Sequence, residues 1–91
     1  MISIEYRSGF IKDLKSLKGS PQYHKIKQFA FEILPNAETI EELANFKKLK
    51  GAKNAFRFKI GDYRIGFNRI DNMIILERVL HRKDIYKYFP R

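Results

Sequence analysis

The sequence predicts an α+β fold: an N-terminal strand and an αα-hairpin packed on a mainly antiparallel four-stranded sheet, with a short C-terminal helix. Two observations predict it. Apolar residues repeat at helical spacing before residue 36, and alternating apolar residues with tight turns follow from residue 56 onward. Strands that follow one another, rather than alternating with helices, are typical of this class. The chain has 91 residues, so we expect a single domain over 1–91.

The N-terminal half predicts one strand and two helices. Apolar and polar side chains alternate over 2–6, which is the period of a half-buried strand. Ser8 can then cap an amphipathic helix that ends at Gly19. A second helix is expected over 21–34, because its apolar residues keep helical spacing until Pro35 stops it. The two helices form a hairpin whose apolar stripe needs a sheet to cover it.

The C-terminal half begins with a short turn and a β-hairpin. Thr39 and Glu42 have the spacing of a capping box, which predicts one helical turn over 40–44. Residues 56–60 and 63–68 then alternate between apolar and polar around a tight turn, which predicts a hairpin whose apolar face meets the helices.

A central strand and a last helix complete the prediction. Residues 73–80 form an almost unbroken apolar run, as expected of a strand covered on both faces. Glu77 and Arg78 interrupt this run, and Glu77 is expected to neutralise a neighbouring arginine such as Arg78 or Arg64. A short helix is expected over 82–89. Its residues on or near one side are Ile85, Tyr86 and Phe89.

Composition narrows the function. Nineteen Lys and Arg against ten Asp and Glu give a net charge of +9, which favours a polyanionic partner. Without cysteine the chain has neither disulfides nor thiolate metal ligands. His24 and His81 lack ligand spacing, so we expect no metal and no cofactor. No signal peptide and no apolar run of roughly 20 residues is visible, so we expect a cytoplasmic protein that does not bind membranes.

Cations are concentrated on one face of the predicted hairpin. Arg57 and Lys59 share the face opposite the apolar residues, and Arg64 can join them across the turn. We expect this face to be free of helices. Like charges on neighbouring strands are destabilising unless a ligand offsets them, so we interpret this face as a cradle for phosphates rather than an ordinary solvated surface. The candidate substrate-binding residues are Arg57, Lys50, Lys53 and Arg78.

This chemistry suits RNA. RNA can be cleaved without a metal because its own 2′-OH is the nucleophile, and the protein then moves protons and stabilises the phosphorane charge. Lys59 is the first candidate for the general base, because repulsion from neighbouring arginines favours loss of its proton. His81 and Tyr86 remain alternatives. The candidate catalytic residues are Lys59, Arg64, Arg82, Tyr86 and His81.

Three segments also resemble a known family. They are Lys48-Leu49-Lys50-Gly51, Gly61-Asp62-Tyr63-Arg64-Ile65 and His81-Arg82-Lys83-Asp84-Ile85-Tyr86. In order and spacing they resemble the RelE/ParE superfamily of toxins from bacterial toxin–antitoxin systems, and specifically its RelE-like mRNA endonucleases. The periodicities above give the element order β-α-α-β-β-β-α. The resemblance implies ribosome-dependent cleavage of mRNA in the A site that leaves a cyclic phosphate, and silencing by a cognate antitoxin protein.

Family positions carry over residue by residue. The two basic residues of the first hairpin strand correspond to Arg57 and Lys59, the hairpin arginine to Arg64, the basic residue after the last strand to Arg82, and the tyrosine to Tyr86. Arg57 stands where the family pattern has lysine. The spacing from Arg82 to Tyr86 is shorter than in that pattern, which keeps His81 as a possible substitute. The alternatives are a ParE-like toxin that inhibits DNA gyrase and a plain RNA-binding module.

Overall fold

A computed structural model describes residues 2–43 and 45–90 and has a five-stranded sheet at its centre. The strands are β1 (Ser3–Tyr6), β2 (Phe46–Lys48), β3 (Ala55–Ile60), β4 (Tyr63–Ile70) and β5 (Met73–His81). Their order is β1-β5-β4-β3-β2, with β1 parallel to β5 and every other pairing antiparallel. The predicted α+β class is confirmed, and the sheet has one strand more than the four predicted.

The additional strand, β2, lies at the edge of the sheet. It has three residues, Phe46 to Lys48, and pairs with β3 so that Lys47 lies opposite Arg57. A segment this short, with two lysines and one aromatic residue, has too little alternation to indicate a strand. Lysines are common on exposed edge strands, because their charge discourages pairing with another chain.

The helices lie where the periodicity predicts them, with shifted ends. Their bounds are α1 (Ser8–Ser16), α2 (Tyr23–Gln28), a π-helical turn (Phe29–Ile33), α3 (Leu34–Asn36), a 3₁₀ turn (Ile40–Glu42) and α4 (Ile85–Tyr88). Ser8 is the first helical residue and Arg7 is the N-cap, so the predicted Ser8 cap is wrong. The capping box of Thr39 and Glu42 is confirmed, whereas Ala44 lies outside the described residues.

Pro35 does not stop the second helix, and the π-helical turn explains why. The N–H of Leu34 donates to the carbonyl of Phe29, five residues back. In this register the next carbonyl, that of Ala30, faces Pro35, which has no N–H to donate. The Tyr6 hydroxyl takes that place and donates to the Ala30 carbonyl at 2.7 Å. Partial burial raises the pKa of the Tyr6 phenol, which keeps it protonated as a donor.

The main core lies between the sheet and the helices α1 to α3. We call the side of the sheet that these helices cover the helix face, and the opposite side the second face. The helix face is filled by aromatic and aliphatic side chains from alternate positions of β3, β4 and β5, as the predicted hairpin parity requires. Phe58 and Phe67 stack at its centre with ring centroids 4.3 Å apart.

A β-bulge in β5 reverses which side chains face the helices. Gly66 pairs with Arg78 and Phe67 pairs with Leu76, so Glu77 is an extra residue without a partner on β4. Before the bulge Leu76 points to the helix face, and after it Val79 does. Sequence parity alone would have placed Arg78 on the helix face with Leu76.

The second face is not free of helices, contrary to the expectation. Ile85 and Phe89, at the two ends of α4, are buried against Ala55 and pack beside Leu80. Phe89 lies directly over Gly66, where an added Cβ atom would lie only 2.5 Å from its ring. Gly66 is therefore required so that the end of α4 can approach the sheet. The C-terminal helix starts at Ile85 rather than at residue 82.

Candidate functional site: a basic patch on the second face

Four cations from three adjacent strands share the second face at the hairpin end of the sheet. They are Lys47, Arg57, Lys59 and Arg64, which we call the basic patch. The register places Lys47 opposite Arg57 and Lys59 opposite Arg64. Two like-charged cross-strand pairs thus lie side by side, as the sequence predicted for the hairpin. Lys47 was missed, because the edge strand that carries it was not recognised.

The pair of Lys59 and Arg64 is the closest part of the patch. The backbone N–H of Lys59 donates to the carbonyl of Asn45, on the β2 side, at 2.9 Å. Lys59 and Arg64 are therefore a non-hydrogen-bonded pair, in which Cα atoms are about 4.5 Å apart and side chains approach most closely. Two ammonium or guanidinium groups in such a pair repel one another until an anion lies between them.

The structure holds Arg64 in one orientation. Its Nη1 donates to the carbonyls of Gly61 at 2.8 Å and Tyr63 at 3.0 Å, both at the hairpin turn. These two bonds use both hydrogens of Nη1 and leave the Nε and Nη2 donors for another acceptor. A guanidinium fixed in this way can bind two oxygens of a phosphate in a fork. The positive φ of Gly61, +58°, shapes the turn that supplies the first carbonyl.

Arg82 lies beside the same turn. Its backbone N–H donates to the carbonyl of Asp62 at 2.8 Å, and its Nε is 3.9 Å from the Asp62 carboxylate. Both side chains are more than half exposed, so this ion pair contributes little to stability and can open. Arg82 can therefore turn toward an anion bound at the basic patch.

His81 is not brought together with the basic patch. It pairs with Tyr63 on the helix face, with the two rings 5.5 Å apart and edge-to-face. Its Nδ1 accepts a hydrogen bond from the backbone N–H of Lys83 at 3.1 Å. The bulge at Glu77 sets this orientation, because it shifts the alternation of every later residue of β5 by one.

Tyr86 lies on α4, on the solvent side. Its side chain is 55% exposed, while its neighbour Ile85 is fully buried. The prediction that Tyr86 lies on or near the same side of the helix as Ile85 and Phe89 is therefore wrong, because only Ile85 and Phe89 are buried. An exposed phenol ring on the second face is free to meet a ligand.

The other predicted substrate-binding residues lie away from the patch. Arg78 donates through Nε and Nη2 to the Asp13 carboxylate of α1 at 2.7 and 3.0 Å, and these hydrogen bonds raise the pKa of its guanidinium. Asp13 also accepts the Val79 N–H at 3.1 Å, so it fastens α1 to the edge of β5. Lys50 and Lys53 are exposed in the loop between β2 and β3.

Glu77 does not neutralise Arg64 or Arg78. Its carboxylate accepts a hydrogen bond from the Asn68 amide at 3.0 Å and lies 4.0 Å from Nε of Arg7. The two expected partners were wrong, because Glu77 is the bulged residue and its carboxylate lies between Asn68 and Arg7 instead of beside Arg78.

The described residues contain neither a cluster of metal ligands nor a helix that could span a membrane. In residues 2–43 and 45–90, no three His, Cys, Asp or Glu side chains are grouped as ligands for a metal ion. Across the same residues, no helix combines the length and apolar character needed to cross a membrane.

The fold and the sequence both match known toxins. The family model of the ParE toxin of the type II toxin–antitoxin system parDE matches residues 4–86. Toxin RelE3 of Methanocaldococcus jannaschii is 38% identical over 90 residues, which cover 98% of this chain and all of the relative. A putative toxin RelE1 of the same organism is 30% identical over 93% of this chain and 94% of the relative.

Solved structures agree. The RelB-RelE antitoxin-toxin complex from Methanococcus jannaschii matches with a TM-score of 0.75 and 37% identity, over 94% of this chain and 99% of the solved chain. YafQ of E. coli strain BL21(DE3) matches with a TM-score of 0.69 at 20% identity, over 91% of this chain and 96% of its own, which shows a shared fold. The chain belongs to the RelE/ParE superfamily and is a RelE-like toxin of a type II toxin–antitoxin system.

Proposed function

We propose that the chain is a ribosome-dependent, metal-independent endoribonuclease, which cleaves mRNA in the ribosomal A site and stops translation in the cytoplasm. The observation that carries the proposal is the pairing of Lys59 with Arg64 on the second face, beside Lys47 and Arg57. Such unmixed charge is costly in the free protein and is offset when phosphates bind.

Each cation has a role in the proposed reaction. The 2′-oxygen attacks the adjacent phosphorus, the bond to the 5′-oxygen breaks, and a 2′,3′-cyclic phosphate remains. Lys59 is the general base and accepts the proton of the 2′-OH. Arg64 binds the non-bridging oxygens through its free Nε and Nη2 donors and stabilises the charge that develops on the phosphorane. Arg57 and Arg82 position the flanking phosphates.

The proton for the departing 5′-oxygen comes from Tyr86 in this proposal. Its phenol is exposed on α4, which packs on the same face of the sheet. His81 is left out, because its ring faces Tyr63 on the helix face. The peripheral cations Lys50 and Lys53 contribute electrostatic attraction to RNA, and Arg78 keeps α1 and α4 in place through Asp13 and Tyr88.

A cognate antitoxin is part of the proposal. Several of the solved structures that resemble this chain are complexes of a toxin with its antitoxin. With a net charge of +9 the chain offers an acidic antitoxin segment a complementary surface, and a segment on the basic patch excludes RNA.

One observation favours a second function. The matching family model is described as a ParE toxin, and the alternative is a non-nuclease toxin that inhibits DNA gyrase. Fold alone does not separate the two activities, because function depends on the residues of the site.

Primer extension separates the two activities. mRNA from cells that briefly express the chain is mapped for cuts, and the purified protein is assayed for gyrase supercoiling. We expect codon-phased cuts and unimpaired supercoiling. Intact mRNA together with blocked supercoiling would establish the gyrase inhibitor instead.

A further inference from the structure

A cleft lies on the second face of the sheet. The C-terminal end of α4 separates it from the basic patch. Its volume is ≈ 620 Å³, which is large enough for a nucleotide. The side chains that matter here come from the sheet, the β2–β3 loop and the C-terminal segment. They are Asn68, Glu77, Arg78, Lys53, Tyr88 and Phe89.

The cleft and the basic patch lie along one strand. Asn68 and Arg64 are both on the second face of β4, four residues apart, which corresponds to about 13 Å. Phe89, seated over Gly66, lies between them. A short stretch of extended RNA that places a phosphate on Arg64 therefore reaches the cleft with a neighbouring base.

The floor of the cleft offers hydrogen-bond acceptors. The Asn68 amide donates to one carboxylate oxygen of Glu77 at 3.0 Å, which fixes both groups in orientation. The other oxygen has only a loose ion pair with Arg7 at 4.0 Å, and the Glu77 side chain is 27% exposed. A carboxylate that keeps acceptor capacity at the floor of a cleft points to a ligand that presents N–H donors.

The walls of the cleft are planar. Tyr88 is 45% exposed, and the Arg78 guanidinium lies 5.2 Å from the centroid of its ring. Asp13 holds that guanidinium through two hydrogen bonds of 2.7 and 3.0 Å, so the plane has a fixed position. Aromatic rings and arginine planes are the surfaces on which unpaired RNA bases stack.

We propose that this cleft binds one base beside the cleaved phosphate and that it selects guanine. The N1–H and N2–H donors of guanine lie side by side on its Watson–Crick edge and match the two oxygens of Glu77, whereas uracil and adenine present an acceptor at one of these positions. The inference rests on the proposed function in that RNA is the substrate, and it makes Glu77 a specificity residue for that substrate. A peptide segment of a protein partner is the competing occupant.

An NMR titration tests the proposal without requiring cleavage. The full-length ¹⁵N-labelled Arg64→Ala protein is titrated separately with GMP, AMP, CMP and UMP, and with ribose 5-phosphate as a control that lacks a base. We expect GMP to bind at least tenfold more tightly than UMP or AMP and to shift the side-chain amide of Asn68 and the backbone amide of Tyr88. Ribose 5-phosphate should leave these signals in place.

Three variants test which side chains bind the base. Glu77→Gln keeps an oxygen that accepts from Asn68 and should abolish the preference for GMP, whereas Glu32→Gln, which removes an exposed carboxylate in the π-helical turn on the helix face, should retain it. Tyr88→Ala should weaken all four nucleotides alike if stacking contributes. Equal binding of the four, or shifts confined to the basic patch, would overturn the inference and leave the proposed nuclease intact. Shifts of Asn68 and Tyr88 by the antitoxin but by no nucleotide would overturn it in favour of a peptide.

Discussion

At the scale of single residues, position on a face matters more than residue type. Arg64 and Arg69 both lie on β4, yet Arg64 is on the second face and Arg69 forms an ion pair with Glu41 of the 3₁₀ turn at 2.7 Å. The hydrogen bond from Arg69 lowers the pKa of the Glu41 carboxyl. One arginine thus has a protein partner for its charge, while the other donates to turn carbonyls and keeps donors for a ligand.

Replacing each of these two arginines separates the effect of losing one positive charge from the effect of its position on the sheet. Arg64→Ala should lower single-turnover cleavage on programmed ribosomes by about 100- to 1,000-fold, the effect of removing one donor to a charged transition state. Arg69→Ala, on the same strand, should cleave at the wild-type rate. Thermal melts of both proteins control for folding, since Arg69→Ala removes an ion pair and Arg64→Ala removes two hydrogen bonds to turn carbonyls. Growth arrest by Arg64→Ala at equal expression would remove this residue from the site.

A second pair of substitutions tests the general base. Lys59→Arg preserves the charge but cannot give up its proton, so RNA binding should persist while cleavage falls by about 100- to 10,000-fold. Lys47→Arg, in the same patch on the edge strand, should retain cleavage, because Lys47 is assigned no proton transfer.

Two further substitutions show which other group moves protons. His81→Gln should cleave normally, because its ring faces away from the patch, and Tyr86→Phe should be slow if it protonates the leaving oxygen. Normal cleavage by Lys59→Arg with a dead His81→Gln would identify His81 as the base and contradict the present assignment.

At the scale of elements, the second helix depends on a contact from β1. The π-helical turn leaves the Ala30 carbonyl without a backbone donor, because the N–H it would meet belongs to a proline, and Tyr6 supplies the missing hydrogen bond. Ala30 is fully buried, so water is excluded as a replacement partner. The Tyr6 hydroxyl therefore lets the helix keep an internal proline without leaving an unpaired carbonyl in the core.

A double-mutant cycle measures this contact. Tyr6→Phe should lower the free energy of unfolding by about 1–3 kcal/mol, the cost of leaving a buried acceptor unsatisfied. In a Pro35→Ala background the cost should be smaller, because residue 35 regains an N–H that can reach the helix carbonyls. Urea denaturation of the four proteins gives the coupling energy, and Tyr23→Phe serves as a control for loss of a hydroxyl. Equal costs in both backgrounds would show that Tyr6 and Pro35 are independent.

The elements predicted correctly from the sequence are those in which apolar residues recur at a regular spacing. The hairpin of β3 and β4, its turn at 61–62 and the resulting faces follow from alternation and turn residues alone. β2 is too short for that signal, and the bulge is hidden in an apolar run where both faces carry large side chains. A clue was present: the polar pair Glu77 and Arg78 interrupts the run at the bulge.

In the candidate site, too, the features fixed by local alternation were predicted and those fixed by long-range contacts were not. The cations of the hairpin could be placed correctly, because local alternation fixes them. The orientation of His81, the ion pair of Arg78 with Asp13 and the packing of α4 on the second face all depend on contacts between distant segments. The close approach of Phe89 to Gly66 also joins distant segments and has no signature in the local sequence.

At the scale of the whole molecule, charge sets how a partner binds. We expect the affinity of an acidic antitoxin to fall by at least about tenfold between about 0.1 M and 0.5 M NaCl, because salt screens exposed ion pairs far more than apolar contacts. Isothermal calorimetry of the intact pair measures this, with sucrose at matched osmolality as the control. Affinity that is independent of salt would mean that the basic patch is not the main contact.

The first and last strands along the chain are neighbours in the sheet, with Ser3 of β1 opposite Met73 of β5. Such a pairing closes a loop that runs from residue 3 to residue 73, and the chain must lose the entropy of closing this loop before the contacts form. During synthesis β5 and α4 leave the ribosome after β1 to β4, so neither the inner neighbour of β4 nor the Phe89 contact exists until these two segments have emerged. We therefore expect a nascent chain to be inert toward the ribosome that makes it for as long as β5 and α4 remain inside the exit tunnel.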